Sequence, residues 1–129
     1  MSLGRLGWIA LFCVPAAAAV AHHGVAAYDM RVVLTKDGTV ETWRWQSPHT
    51  SLTLRIGERG ETFVIEGAPP RWMEGQGWTP DSLAAGEPVT VTYHPARRDD
   101  GNYAAILMEV RRANGAVLKV NRPASLGGP

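Results

Sequence analysis

The sequence predicts a mainly β domain, a small OB-fold-like barrel of five to six strands with a short helical insert between strands three and four. Three observations carry this prediction. Short runs alternate apolar and polar residues at period 2, a Pro-opened segment interrupts them after the third run, and an Asn-Gly turn closes the series. That order of elements is the order of an OB-fold. A small β-sandwich is the competing architecture, but it would leave residues 69–86 as a structureless loop, which is improbable in so short a chain.

The first segment stands apart from the domain. Residues 8–21, WIALFCVPAAAAVA, carry no charge, follow Arg5 and end in Ala19-Val20-Ala21. The apolar run is shorter than the ~20 residues a spanning helix needs. Its charged start, apolar core and A-x-A end are those of a secretory signal cleaved near Ala21. A short core or anchor helix is the simpler alternative. Phe12, in the place where a small residue is needed before Cys13, argues against lipidation. The expected organisation is a signal over residues 1–21, an arm over 22–37, the barrel over 38–121 and a flexible tail over 122–129.

Gly38 to Trp45 is rich in Thr, Val and Trp and stops at Ser47-Pro48. From Ser51 to Ile56, Leu52, Leu54 and Ile56 share one face, with Thr53 and Arg55 on the other. Gly57 to Gly60 forms a turn, and Glu61 to Glu66 sets Phe63 and Ile65 against Val64 and Glu66. Pro69-Pro70 opens a helix that Gly75 or Gly77 ends. Thr79-Pro80 reads as a second helical start, closed by Gly86. Val89, Val91 and Tyr93 then alternate with Thr90, Thr92 and His94, and the next strand sets Ile106, Met108 and Val110 on one face. Asn114-Gly115 folds Ala116 to Val120 back as a short extra strand.

Charge and cysteine content narrow the function classes. The chain has 13 Lys plus Arg against 12 Asp plus Glu. Removing the signal takes away Arg5 and leaves a side-chain balance of zero. Arg97-Arg98 and Arg111-Arg112 are the longest basic runs, so nucleic acid is not an expected partner. The single cysteine lies in the signal. An exported domain without disulfides must hold itself together by its core. Cleavage of the signal leaves no stable membrane anchor, and a periplasmic location follows.

The four histidines are the candidate metal ligands: His22, His23, His49 and His94. His22 and His23 stand at the expected new N-terminus, His49 follows Ser47-Pro48, and His94 precedes Pro95. In an OB-fold, His49 falls in the loop between strands one and two and His94 at the loop between four and five. Those loops flank the usual ligand face. Cleavage after Ala21 would give His22 a free amine beside its imidazole, a two-nitrogen chelate. One more imidazole from His49, His94 or His23 completes a nitrogen-only set of the kind Cu(II) prefers. Cleavage after Ala19 would instead place His22 third, also a Cu(II) chelate. Copper is therefore the expected cofactor, if any. Against it, the spacing is not a closed metal motif: a mobile His22-His23 pair behind a cleavage site need bind nothing, His49 reads as a cap of the turn after Pro48, and His94 as a hydrogen-bonded residue in the bend before Pro95. Asp29 and Asp99-Asp100 could add oxygens, although Asp99 to Asn102 reads more simply as a turn.

Little points to catalysis. The chain lacks a nucleophile elbow, a phosphate loop and a Cys-His pair, and nothing fixes the separation of Glu66 and Glu109. Trp43, Trp45, Trp72 and Trp78 are more simply core and helix packing than a ligand platform.

His22-His23-Gly24, Tyr28-Asp29, Gly38-Thr39-Val40, Trp45, Ser47-Pro48-His49, Glu66-Gly67, Gly77-Trp78 and Thr90 to Pro95 together resemble a group of small exported bacterial proteins known as a domain of unknown function. Its members read A-H-H-S-F, then G-x-V, N-P-H, G-W and H-P. Here Gly24-Val25 replaces Ser-Phe and Ser47 replaces Asn. The resemblance implies export and a small β-barrel, and it supplies no activity. The expected function is a periplasmic binding module, not an enzyme, with Cu(II) held by His22 and further histidines. An accessory protein meeting an envelope protein through the barrel face and its tryptophans is the alternative. A copper-dependent redox enzyme comes third.

Overall fold

The computed structural model describes residues 24–99 and 101–122. Residues 1–23, with the expected signal, His22 and His23, lie outside the described residues, as do Asp100 and residues 123–129. Six strands form one sheet: β1 (Leu34–Arg44), β2 (Ser51–Ile56), β3 (Glu61–Glu66), β4 (Pro88–Pro95), β5 (Ala105–Arg112) and β6 (Val117–Lys119). Their order is β3-β2-β1-β4-β5-β6, and a parallel β3–β5 pairing closes the first five into a barrel. Helix α1 (Pro70–Glu74) lies between β3 and β4. The closure is the OB-fold arrangement and excludes two separate sandwich sheets.

The alternation in the sequence becomes the inside and outside of this barrel. Val40, Leu52, Leu54, Ile65, Val91, Leu107 and Val110 fill the interior. Burying each such side chain contributes about 1.5–3 kcal/mol, and without disulfides this core is the main source of stability. Trp78 is 1 % exposed and its Nε1 donates to the Lys119 carbonyl at 2.8 Å, tying the segment after α1 to β6. Trp43 packs between Trp78 and Trp45 in tilted contacts, with ring centroids 5.4 and 5.8 Å away. Pro70 occupies the first turn of α1, where its missing N–H costs nothing, and Gly77 takes a φ of 88° just beyond it.

Three expectations need correction. β1 begins at Leu34 rather than Gly38, because residues 34–39 pair with β4 from Tyr93 to Pro88. The segment after Thr79 is a turn, not a helix: the Thr79 N–H donates to Ser82 Oγ at 2.8 Å and the Asp81 N–H to Thr79 Oγ1 at 3.2 Å. These side chains offer the backbone a substitute for helical bonds. On β5, Ala105, Leu107 and Val110 face the core instead of Ile106 with Met108. Thr92 pairs with Glu109 but Tyr93 with Leu107, so Met108 is the extra residue of a β-bulge that reverses the alternation.

Candidate functional site

One row of paired residues crosses the outer surface of the barrel. Arg44 pairs with Ser51, Ser51 with Glu66, Glu66 with Ile106, and Ile106 with His94. Paired residues share a face of the sheet, so their side chains all leave the barrel together. Glu66 ends its strand there because period 2 turns it away from core-facing Ile65. A carboxylate so placed should meet water, yet Glu66 is 3 % exposed.

The arm covers it. A 3-10 turn, Val25–Ala27, is followed by Tyr28, which bridges to Ala96 beyond β4. The Asp29 N–H donates to the Pro95 carbonyl and the Arg97 N–H to the Ala27 carbonyl, each at 2.9 Å. These bonds lay Tyr28 over the row, 2 % exposed, with its hydroxyl donating to Glu66 Oε2. Burial pushes the Tyr28 phenol far above the ordinary tyrosine range, and the hydrogen bond to Glu66 and the negative charge of that carboxylate push it further. Arg122, after β6, faces the same pair. Burial lowers its guanidinium from the ordinary value, while the charges of Glu66 and Tyr28 act in the opposite direction. Its Nη2 also donates to the Leu107 carbonyl at 3.4 Å, so Arg122 belongs to the folded domain rather than to a free tail.

His49 completes the cluster from the β1–β2 loop. Its Nδ1 approaches Glu66 Oε1 to 3.1 Å but lies off the line of a hydrogen bond, a buried polar atom without such a partner. The next residue, Thr50, is fully buried and fixes the loop. Its N–H and its Oγ1 both donate to the Ala68 carbonyl, and its own carbonyl accepts from the Gly67 N–H at 2.8 Å. Gly67 is required at this crossing, since a Cβ there would sit 1.9 Å from Thr50 Oγ1.

His94 is 8 % exposed, outside the core as its parity predicted. Its Nδ1 lies 2.8 Å from the Val32 carbonyl. A carbonyl only accepts, so Nδ1 is the donor in this contact. His49 and His94 thus sit on either side of Glu66, but they do not converge. Glu66 and His94 stand two strands apart, roughly 10 Å between backbones, with Ile106 between them. Among the described residues, no group of three or more His, Cys, Asp or Glu side chains is arranged to hold a metal ion.

The other candidates have local duties. Asp29 contacts Arg31 at 3.4 Å and Arg97 at 3.8 Å, and its hydrogen bond from the Arg31 backbone, aided by both charges, holds its carboxyl below the usual range. Asp99 Oδ1 accepts from the Gly101 N–H at 3.2 Å, the expected turn. Glu109 pairs with Thr92 and lies 3.5 Å from Arg111, well along β5 from Glu66's partner Ile106. Sequence reasoning gives Arg122 no role, meets Tyr28 only in the family resemblance and weighs Glu66 only against Glu109. Only a charged residue ending an apolar strand could have pointed to Glu66.

No helix among the described residues is long and apolar enough to cross a membrane. A comparison with curated proteins found no match. The outward row, the clamped arm and the OB-like closure stand beside a match to the model of a family of unknown function, DUF6152, over residues 10–106, and the chain belongs to that family.

Proposed function

We propose that the protein is an exported, periplasmic binding module, not an enzyme, that takes Cu(II) through the amine and imidazole of His22 and the Nε2 of His49. The observation that carries this reading is the state of the two described histidines. The Nδ1 of His49 stands beside a buried carboxylate and that of His94 on a backbone carbonyl. Metal-binding histidines keep a carbonyl or carboxylate beside the ring nitrogen that does not bind, and His94 has this as a hydrogen bond and His49 as a 3.1 Å charge contact. His49 is the better ligand, because its side chain is 32 % exposed while His94 is buried. The arm supports the same reading. Tyr28, six residues after His22 in the sequence, is fixed on Glu66, the carboxylate beside His49.

The test is Cu(II) titration of the protein recovered after export, with its first residue identified by mass spectrometry. A chain starting at His22 should bind at least tenfold more tightly than one carrying an extra Met before it, and His49→Ala should lose a comparable factor. Equal affinity with and without the extra Met would remove the amine, and with it the proposed site.

An accessory role at an envelope protein is the second reading. Val32, Val33 and Leu34 favour it, being exposed side by side where the arm passes into β1. The tryptophans do not, since Trp78 is buried and Trp43 and Trp45 pack on the core.

A further inference from the structure

The outer face of β1, β2 and β3 carries a second feature that the histidines do not use. The β4–β5 loop reaches over this face, where Gly101, Asn102 and Tyr103 line a hollow together with strand residues; at the base of the loop the Ala104 N–H donates to the Val64 carbonyl and the Ala96 N–H to the Ala104 carbonyl, each at 2.9 Å, prolonging the strand pairings. Tyr103 and Asn102 therefore stand over Val64, and a hollow opens on either side of that ridge. One, of about 340 Å³, is floored by Thr42, Arg44, Ser51 and Thr53. The other, of about 350 Å³, is bordered by Thr62 and Arg98. Each lies within the range of small-molecule sites.

We propose that this face binds a short acidic oligosaccharide, one sugar unit in each hollow. The lining sets the ligand's chemistry. Thr42, Ser51, Thr53 and Thr62 present short hydroxyl side chains, which match the alternating donors and acceptors of a sugar ring. The tyrosine ring on the ridge offers an apolar surface to the C–H face of a sugar. Each hollow has one guanidinium, Arg44 or Arg98, and neither makes a side-chain hydrogen bond or ion pair among the described residues. Arginine's planar fork suits a carboxylate, so one acidic group per unit fits both positions. Single-stranded nucleic acid fits less well. It wants several stacking aromatics along a basic groove, and among the residues lining the two hollows Tyr103 is the one aromatic. OB-fold barrels take oligosaccharides on the corresponding surface, so the fold can support this use.

The site is independent of the metal reading, and one set of calorimetric titrations separates them. The purified protein is titrated with tri-galacturonate, tri-mannuronate, neutral maltotriose and a hexamer of deoxythymidylate. At least one acidic trimer should bind, and maltotriose should bind roughly tenfold more weakly or not at all. Arg44→Gln and Arg98→Gln, with thermal midpoints checked, should each weaken the acidic trimer about five- to tenfold and together more than either alone. His49→Ala should leave sugar binding unchanged. The proposal is overturned if neither acidic trimer binds, if maltotriose or the hexamer binds as tightly, or if the double arginine variant binds as the parent does. Loss of sugar binding in His49→Ala would move the ligand to the histidine cluster and equally remove this assignment.

Discussion

At the scale of single residues, Tyr28 and Glu66 bear the largest consequence. A buried carboxylate is tolerable only if its charge is hydrogen-bonded and balanced, here by the Tyr28 hydroxyl and the facing Arg122 guanidinium. Tyr28→Phe keeps the ring's packing and removes the donor. The expected loss is about 1.5–3 kcal/mol, read as a lower denaturation midpoint at unchanged m-value. The same hydroxyl sets an alkaline limit. Its pKa is raised above the unfolded value of 10.0, so the native chain keeps a proton that the unfolded chain releases. Its contribution is complete below pH 10 and is lost as pH rises beyond it, at about 1.4 kcal/mol per pH unit. Burial raises Tyr93 as well, so the parent should lose stability above pH 10 more steeply than Tyr28→Phe, which retains only the second group. Equal slopes in denaturation series at pH 9 to 11 would show that Tyr28 does not hold its proton.

At the scale of elements, the end of β3 crosses the β1–β2 loop with no space to spare. Gly67→Ala forces its new methyl onto Thr50 Oγ1 and close to Thr50 Cβ, 3.1 Å away. The expected cost is about 2–4 kcal/mol in a thermal or urea melt. In a Thr50→Ala background the added cost of Gly67→Ala should shrink, because the oxygen it meets is gone. This is also the scale at which the sequence was most and least legible. Leu52-Thr53-Leu54 and Val89 to Tyr93 announce strands because each buries one face, and Asn114-Gly115 announces its hairpin because few other residue pairs suit that turn. The bulge at Met108 is invisible in the same way that it is decisive: its alternation is read from side chains, whereas a bulge is fixed by which backbone groups the neighbouring strand offers. The second helix failed for a related reason, as Thr79 and Ser82 satisfy one another's backbone instead of starting a turn of helix.

At the scale of the whole molecule, the candidate site was half legible. His49 and His94 stand out beside prolines, but the bond from Tyr28 to Glu66 joins positions 38 residues apart, and no local spacing encodes it. It exists because the barrel closes. Among the described residues two pairs, Ile65 with Ala105 and Glu66 with Ile106, join β3 to β5, so the site lies on the narrowest strand pairing of the barrel. Glu66→Ala should therefore loosen more than the arm. Amide exchange is expected to speed up at Asp29 and Arg97, where the arm is bonded, and at Ala105 and Ile106 across the seam; faster exchange in the arm alone would confine Glu66 to a local latch. Glu66 has one more consequence. Tyr28 and Arg122, near the two ends of the described chain, both face this carboxylate, so those ends come back to one place. The order in which the strands are threaded is thus not bound to their arrangement in space: a short peptide joining the two ends, with the chain reopened in the Gly57 to Gly60 turn, would give a circular permutant with every strand pairing kept.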